Sequence, residues 1–158
     1  MKHKFTMFFV LLLSIHTLTH ANGLNGAEGI NSLLQYINHT NSNVKVNNKE
    51  IELLIPTNLT RVTVTGEEIY YQESKEVIPY TIKTDIENIS QITVLLQNRK
   101  TLKNTLVAKY TLSSEFSGQL SGRFKQRCNN KICRLYVAVV SDKHVHISSK
   151  LIGNSIVH

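Results

Sequence analysis

The sequence predicts an all-β fold, an antiparallel β-sandwich preceded by one short helix. Three observations predict it. Apolar residues recur at every second position in several short runs: Ile78, Tyr80 and Ile82; Ile92, Val94 and Leu96; Leu135, Val137 and Val139. Polar connections such as Asp85 to Ser90 and Gln97 to Thr105 separate these runs. One stretch alone, with Ile30, Leu33, Leu34 and Ile37, has apolar residues at helical spacing. Successive side chains of a strand point to opposite faces, so period two marks a sheet with one face on a core and one in water. Many such strands and a single helix bury their apolar faces most simply by laying sheet on sheet.

In chain order, Lys2 and Lys4 precede an apolar run from Phe5 to Ile15, and Thr19-His20-Ala21 places small residues where a signal peptidase reads. Residues 1–21 are expected to be a secretory signal, its apolar run being short for a membrane span. Residues 22–26 are expected to be a disordered leader, and 27–158 a single domain. Ala27 to Tyr36 forms the helix, capping an open end or edge of the sandwich. Asn38 to Asn48 is polar and rich in turn formers. Ile51 to Ile55 is the first strand, ended by Pro56, which cannot donate to a ladder. Arg61 to Thr65 and Ile69 to Gln72 pair across Gly66-Glu67. Strands follow around Ile78–Ile82, Ile92–Leu96, Leu106–Leu112, Gly118–Arg127, Leu135–Val139 and Val145–Ile147, for about seven to nine in all.

The formal charge is +7, from 18 basic and 11 acidic residues. Basic residues are enriched at Lys100, Lys103, Lys109, Arg123, Lys125, Arg127, Lys131 and Arg134. This is first a solvated strand-and-turn surface and second a site for an anionic ligand or acidic partner. Nothing interleaves these charges with aromatics as nucleic-acid modules do, so no nucleic acid is expected. His144 and His146, two apart on a strand, share a face but lack a third ligand; they read as two exposed histidines, with no metal and no cofactor. Asp85, Glu87 and Asp142 are isolated carboxylates, and no Ser-His-Asp or Cys-His constellation is legible. The chain is not expected to be an enzyme.

The remaining candidate chemistry is Cys128-Asn129-Asn130-Lys131-Ile132-Cys133. Export makes an oxidised pair the default for Cys128 and Cys133. Both flanks read as strand, so a hairpin would set the two cysteines opposite each other at bridging distance. A bridge over so short a loop adds on the order of 2 kcal/mol as a structural staple. A redox-active pair is the alternative, and it makes the chain a periplasmic thiol-disulfide protein.

Several segments, in this order, resemble the SoxY family, the sulfur carriers of bacterial thiosulfate oxidation. They are Val77-Ile78-Pro79-Tyr80-Thr81-Ile82, Ile92-Thr93-Val94-Leu95-Leu96, Leu106-Val107-Ala108-Lys109-Tyr110-Thr111-Leu112, Tyr136-Val137-Ala138-Val139-Val140 with Ser141-Asp142-Lys143, and Ile152-Gly153. The resemblance implies an immunoglobulin-like sandwich. It also implies a C-terminal Gly-Gly-Cys-Gly-Gly arm, which this chain lacks: the register that aligns Ile152-Gly153 puts Ser155 at the carrier cysteine, and Ile156-Val157-His158 follow. A hydroxyl cannot hold a persulfide or exchange a disulfide. The expectation is an exported, periplasmic or secreted, non-enzymatic module that does not span the membrane after signal cleavage. It binds a protein partner, for which the family implies a SoxZ-like sandwich. A secreted adhesion or effector module is a further alternative.

Overall fold

The computed structural model describes residues 26–46, 49–55, 60–64, 67–72, 77–112, 116–125, 132–142 and 144–154. The signal segment 1–21, leader residues 22–25, Cys128 and Ser155 lie outside them. The chain divides into two compact units, one ending at Thr40 and one beginning at Asn41.

The first unit holds helix α1, Gly26–Tyr36. Ala27, Ile30, Leu33, Leu34 and Ile37 are buried, a stripe at i, i+3, i+4 and i+7 that makes the segment amphipathic. Glu28 in the first turn suits the positive end of the helix dipole. Asn38 ends the helix in the left-handed region (φ 59°). The His39 N–H donates to Leu34 O (2.9 Å) and the Asn38 N–H to Gln35 O (3.2 Å). This doubly bonded turn satisfies carbonyls a helix end leaves open, and asparagine tolerates the conformation it needs.

The second unit is a two-sheet β-sandwich of ten strands: β1 (Asn43–Val46), β2 (Ile51–Leu54), β3 (Thr60–Val64), β4 (Glu67–Gln72), β5 (Val77–Thr84), β6 (Ile89–Asn98), β7 (Asn104–Thr111), β8 (Gln119–Lys125), β9 (Cys133–Ser141) and β10 (His144–Asn154). The larger sheet runs β3-β4-β10-β9-β6-β7, and the smaller β2-β5-β8. β1 lies along the first half of β10 and β4 along its last residues, so two short strands share one edge of a long one; both pairings are parallel. The other pairings are antiparallel.

The core lies between the sheets. Ile51, Leu53, Ile78, Tyr80, Ile82 and Phe124 come from the smaller sheet and meet Ile92, Val94, Leu96, Leu135, Val137 and Val139 of the larger. These are the period-two residues of the sequence. Each fully buried aliphatic side chain stabilises the fold by roughly 1.5–3 kcal/mol over its exposed state. β2 and β5 keep one exposed face, as the alternation predicts.

Four features depart from the sequence reading. Among the described residues there are ten strands, because Asn43–Val46, read as turn-rich, is β1. Val44 and Val46 alternate there, and the edge of β10 supplies the ladder that so short a strand cannot supply itself. Second, two parallel pairings join the antiparallel framework. Third, β9 has no wet face, and six consecutive residues of β6 are buried too. On the face away from the smaller sheet Leu95, Tyr136, Ala138, Val140, Val145 and Ile147 are buried as well. The unbroken apolar run Leu135–Val140 carries that signal, since continuous apolarity marks a strand buried on both faces. Fourth, β8 and β9 form no hairpin. β8 pairs with β5 in one sheet and β9 with β6 and β10 in the other, so the chain between them passes from sheet to sheet.

Candidate functional site

Of the predicted site residues, Cys133 alone is among the described ones; it lies at the end of the sandwich where β6 finishes, β7 starts, β8 finishes, β9 starts and β10 finishes. Register places it between Ile152 of β10 and Asn98 of β6. Cys133 and Ile152 are fully buried. No cysteine among the described residues is free. Ile152, Gly153 and Asn154 are strand, paired with Tyr70, Tyr71 and Gln72 of β4. The backbone that leads toward position 155 is therefore held in the sheet.

The β6–β7 turn at this end is tightly organised. Asn98 donates its N–H to Lys103 O (3.0 Å) and accepts from Leu102 N–H (2.8 Å). The Asn98 side-chain oxygen accepts from the N–H groups of Lys100 and Thr101 (2.9 and 3.0 Å). Asparagine holds turns in this way because its short amide reaches backbone two or three residues on. Beside the turn, Gln97 Nε2 donates to Asn104 Oδ1 (2.9 Å) and Arg134 Nη1 to Ser149 Oγ (3.0 Å). A shallow cleft of about 240 Å³ opens between the edges of the two sheets, lined by Leu96, Thr105, Leu106, Val107, Arg123, Phe124 and Lys125. Phe124 and Leu96 are buried in its floor, and Leu106 at its rim is 46% exposed.

A second cleft, about 670 Å³, lies at the opposite end, between the β5–β6 connection and residues 112 and 116–118. Its frame is rigid: Thr84 N–H donates to Gly118 O (2.9 Å), Leu112 N–H to Ser90 O (3.1 Å) and Ser141 Oγ to Glu87 O (2.6 Å). Asp85 and Glu87 line it, with Ile86, Ile89, Leu112 and Phe116. Sequence reasoning missed this cleft because its walls are two connections far apart in the chain. It contains carboxylates but no nucleophile paired to a base.

The two histidines also sit toward that second end. His146 is buried, contrary to the expectation of two exposed histidines, and His144 is partly buried. The inward face of β10 carries His146 opposite Val139 and beside Lys45 of β1. Its Nδ1 lies 3.8 Å from a Glu50 oxygen, and its ring centroid lies 6.2 Å from that of His144. Burial holds the His146 imidazole below its ordinary pKa; Lys45 adds to this and Glu50 works against it. No group of three or more His, Cys, Asp or Glu among the described residues is arranged to hold a metal ion. No helix among them is long and apolar enough to cross a membrane.

No family model matches the chain, and no curated protein matches it. Among solved structures it is similar to the sulfur carrier protein SoxY from Chlorobium limicola f thiosulfatophilum, with a TM-score of 0.58 and 15% identity over 80% of this chain and 99% of that one. At that identity the likeness is one of fold: the sandwich is SoxY-like.

Proposed function

We propose that this chain is a non-enzymatic, exported binding module built on a SoxY-like sandwich and unable to carry sulfur at Ser155, the position aligned with the carrier cysteine. One observation carries the reading: the SoxY-like fold comes with a serine, Ser155, where the family register puts the carrier cysteine. A fold transmits function only where the site is kept. The carrier's chemistry needs a thiolate on a glycine-flexible arm, and Ser155-Ile156-Val157 offers a hydroxyl followed by two stiff β-branched residues. What remains of the family's equipment is the sandwich itself, which fits association with a second, SoxZ-like sandwich.

Cys128 and Cys133 are read as a structural bridge. The full burial of Cys133 supports this over a thiol-exchange role, because an exchanging sulfur must be reached by a thiolate. Incubation with sulfur-oxidising components and thiosulfate, followed by intact mass, tests the reading. The expected result is no sulfur adduct. An adduct on the terminal peptide overturns it, and an adduct on either cysteine moves carriage to the segment between β8 and β9. Titration with a SoxZ-like sandwich tests the binding role, for which a saturable complex is expected.

A further inference from the structure

Between Asn88 and Ser141 the chain has nine Lys and Arg residues and a single acid, Glu115. Its topology gathers part of that excess around one cleft. Lys100 and Lys103 belong to the β6–β7 turn, and Thr105, Leu106 and Val107, which follow them, form one wall. Arg123 and Lys125 on β8 form the other. All four cations are exposed. The floor between them is apolar, with Leu96 and Phe124 beneath the exposed Leu106.

We infer that this cleft docks an extended acidic segment of a partner protein, with one apolar side chain on the Leu96–Phe124 floor and flanking carboxylates on Lys100, Lys103, Arg123 and Lys125. The inference rests on the binding-module reading and names the surface it uses. Charge complementarity chooses the sign of the partner, since four exposed cations whose cleft is lined by no carboxylate among the described residues attract and orient an anionic chain. The floor chooses the class: an apolar seat between cations suits a peptide with one apolar residue among acids. A uniformly charged polyanion leaves that seat unused, and nucleic acid asks for exposed aromatics to stack on, whereas Phe124 is buried.

The register also says how the segment is held. Among the described residues β7 pairs with β6 alone and β8 with β5 alone, so both sheets present an edge here. The β6–β7 ladder shifts register between Val94 and Leu95, next to Val107. A bulge and lysines blunt an edge against continuous strand addition. Affinity then comes from the seated side chain and the flanking charges rather than from an extended backbone ladder.

The test uses the full chain and a short labelled peptide of alternating Asp and Glu with one central Leu, read by fluorescence anisotropy. Replacing that leucine by serine is expected to weaken binding roughly tenfold or more, the value of one buried aliphatic side chain. Arg123→Glu with Lys125→Glu is expected to weaken it by about tenfold or more and to flatten its salt dependence. Leu106→Ser is expected to weaken it several-fold. All three positions are exposed, so unchanged circular dichroism serves as the folding control. Equal binding of the serine peptide, or no effect of the Arg123/Lys125 exchange, overturns the inference. So does heparin or an anionic vesicle binding more tightly than the peptide, or self-association of the chain that the same exchange abolishes. Titration of a SoxZ-like sandwich alongside separates the two failures. If the peptide does not bind but the sandwich does, this surface is wrong and the binding-module reading stands.

Discussion

Gly122 stands opposite Tyr80 in the β5–β8 register, and a Cβ at position 122 would run into the Tyr80 ring and hydroxyl. The ring is placed there by contact with Phe124, at a centroid separation of 6.2 Å, and by a hydroxyl contact with Tyr110 at 3.2 Å. Burial, and then that hydrogen bond, push the Tyr80 phenol well above its ordinary pKa. Gly122→Ala should therefore displace a core ring and cost about 1–3 kcal/mol, read as a lower Tm. Tyr80→Phe, which loses only the hydroxyl contact, should cost about 1 kcal/mol. His146 predicts a pH dependence. Its native pKa lies below the unfolded value of 6.5, so the unfolded chain takes up its proton first as pH falls. The stability it contributes is complete above about pH 6.5 and is lost as pH falls toward the native pKa. Denaturant midpoints should drop over that interval, and His146→Gln should remove the drop. Period two placed His146 on one face of a strand, but which face met the core depended on where β10 lay in the sheet.

The crossing between β8 and β9 is the element with the largest consequence. Both strands were legible from alternation, yet they belong to different sheets, so the hairpin that would have set Cys128 opposite Cys133 does not form. A bridge between Cys128 and Cys133 remains the proposal. Alkylation without reductant followed by mass spectrometry should find neither cysteine labelled, and labelling of both would refute the bridge. At the other end of β8, Gly118 has φ 82°, and a Cβ there would lie 3.0 Å from Thr84 O. Gly118→Ala should destabilise the β5–β8 pair by about 1 kcal/mol or more, since the left-handed conformation and the close carbonyl both oppose a side chain. Loss of amide protection confined to β5 and β8 would locate that effect. β1 shows the converse of β8: a strand absent from the sequence reading because four residues among asparagines hold too little pattern, and present because β10 offers an edge.

For the whole molecule, far-UV circular dichroism should be of the β type with a minor helical contribution; a helix-dominated spectrum would contradict the fold. The sequence by itself determined the all-β class, the short helix ahead of the strands, the inward residues of β2, β5, β6 and β9 and the hydroxyl in place of a thiol at position 155. These are local properties: alternation follows from the pleat, helical spacing from 3.6 residues per turn, and sulfur chemistry from the presence of sulfur. Only the tertiary structure decided that β8 and β9 separate into two sheets and that β1 and β4 share an edge of β10. It alone brought Leu96, Leu106, Arg123 and Phe124 together around one cleft. A strand's pattern says that it needs a partner and a core, but its backbone hydrogen-bonding groups are the same along every edge. Which edge it meets is settled by contacts between residues far apart in the chain.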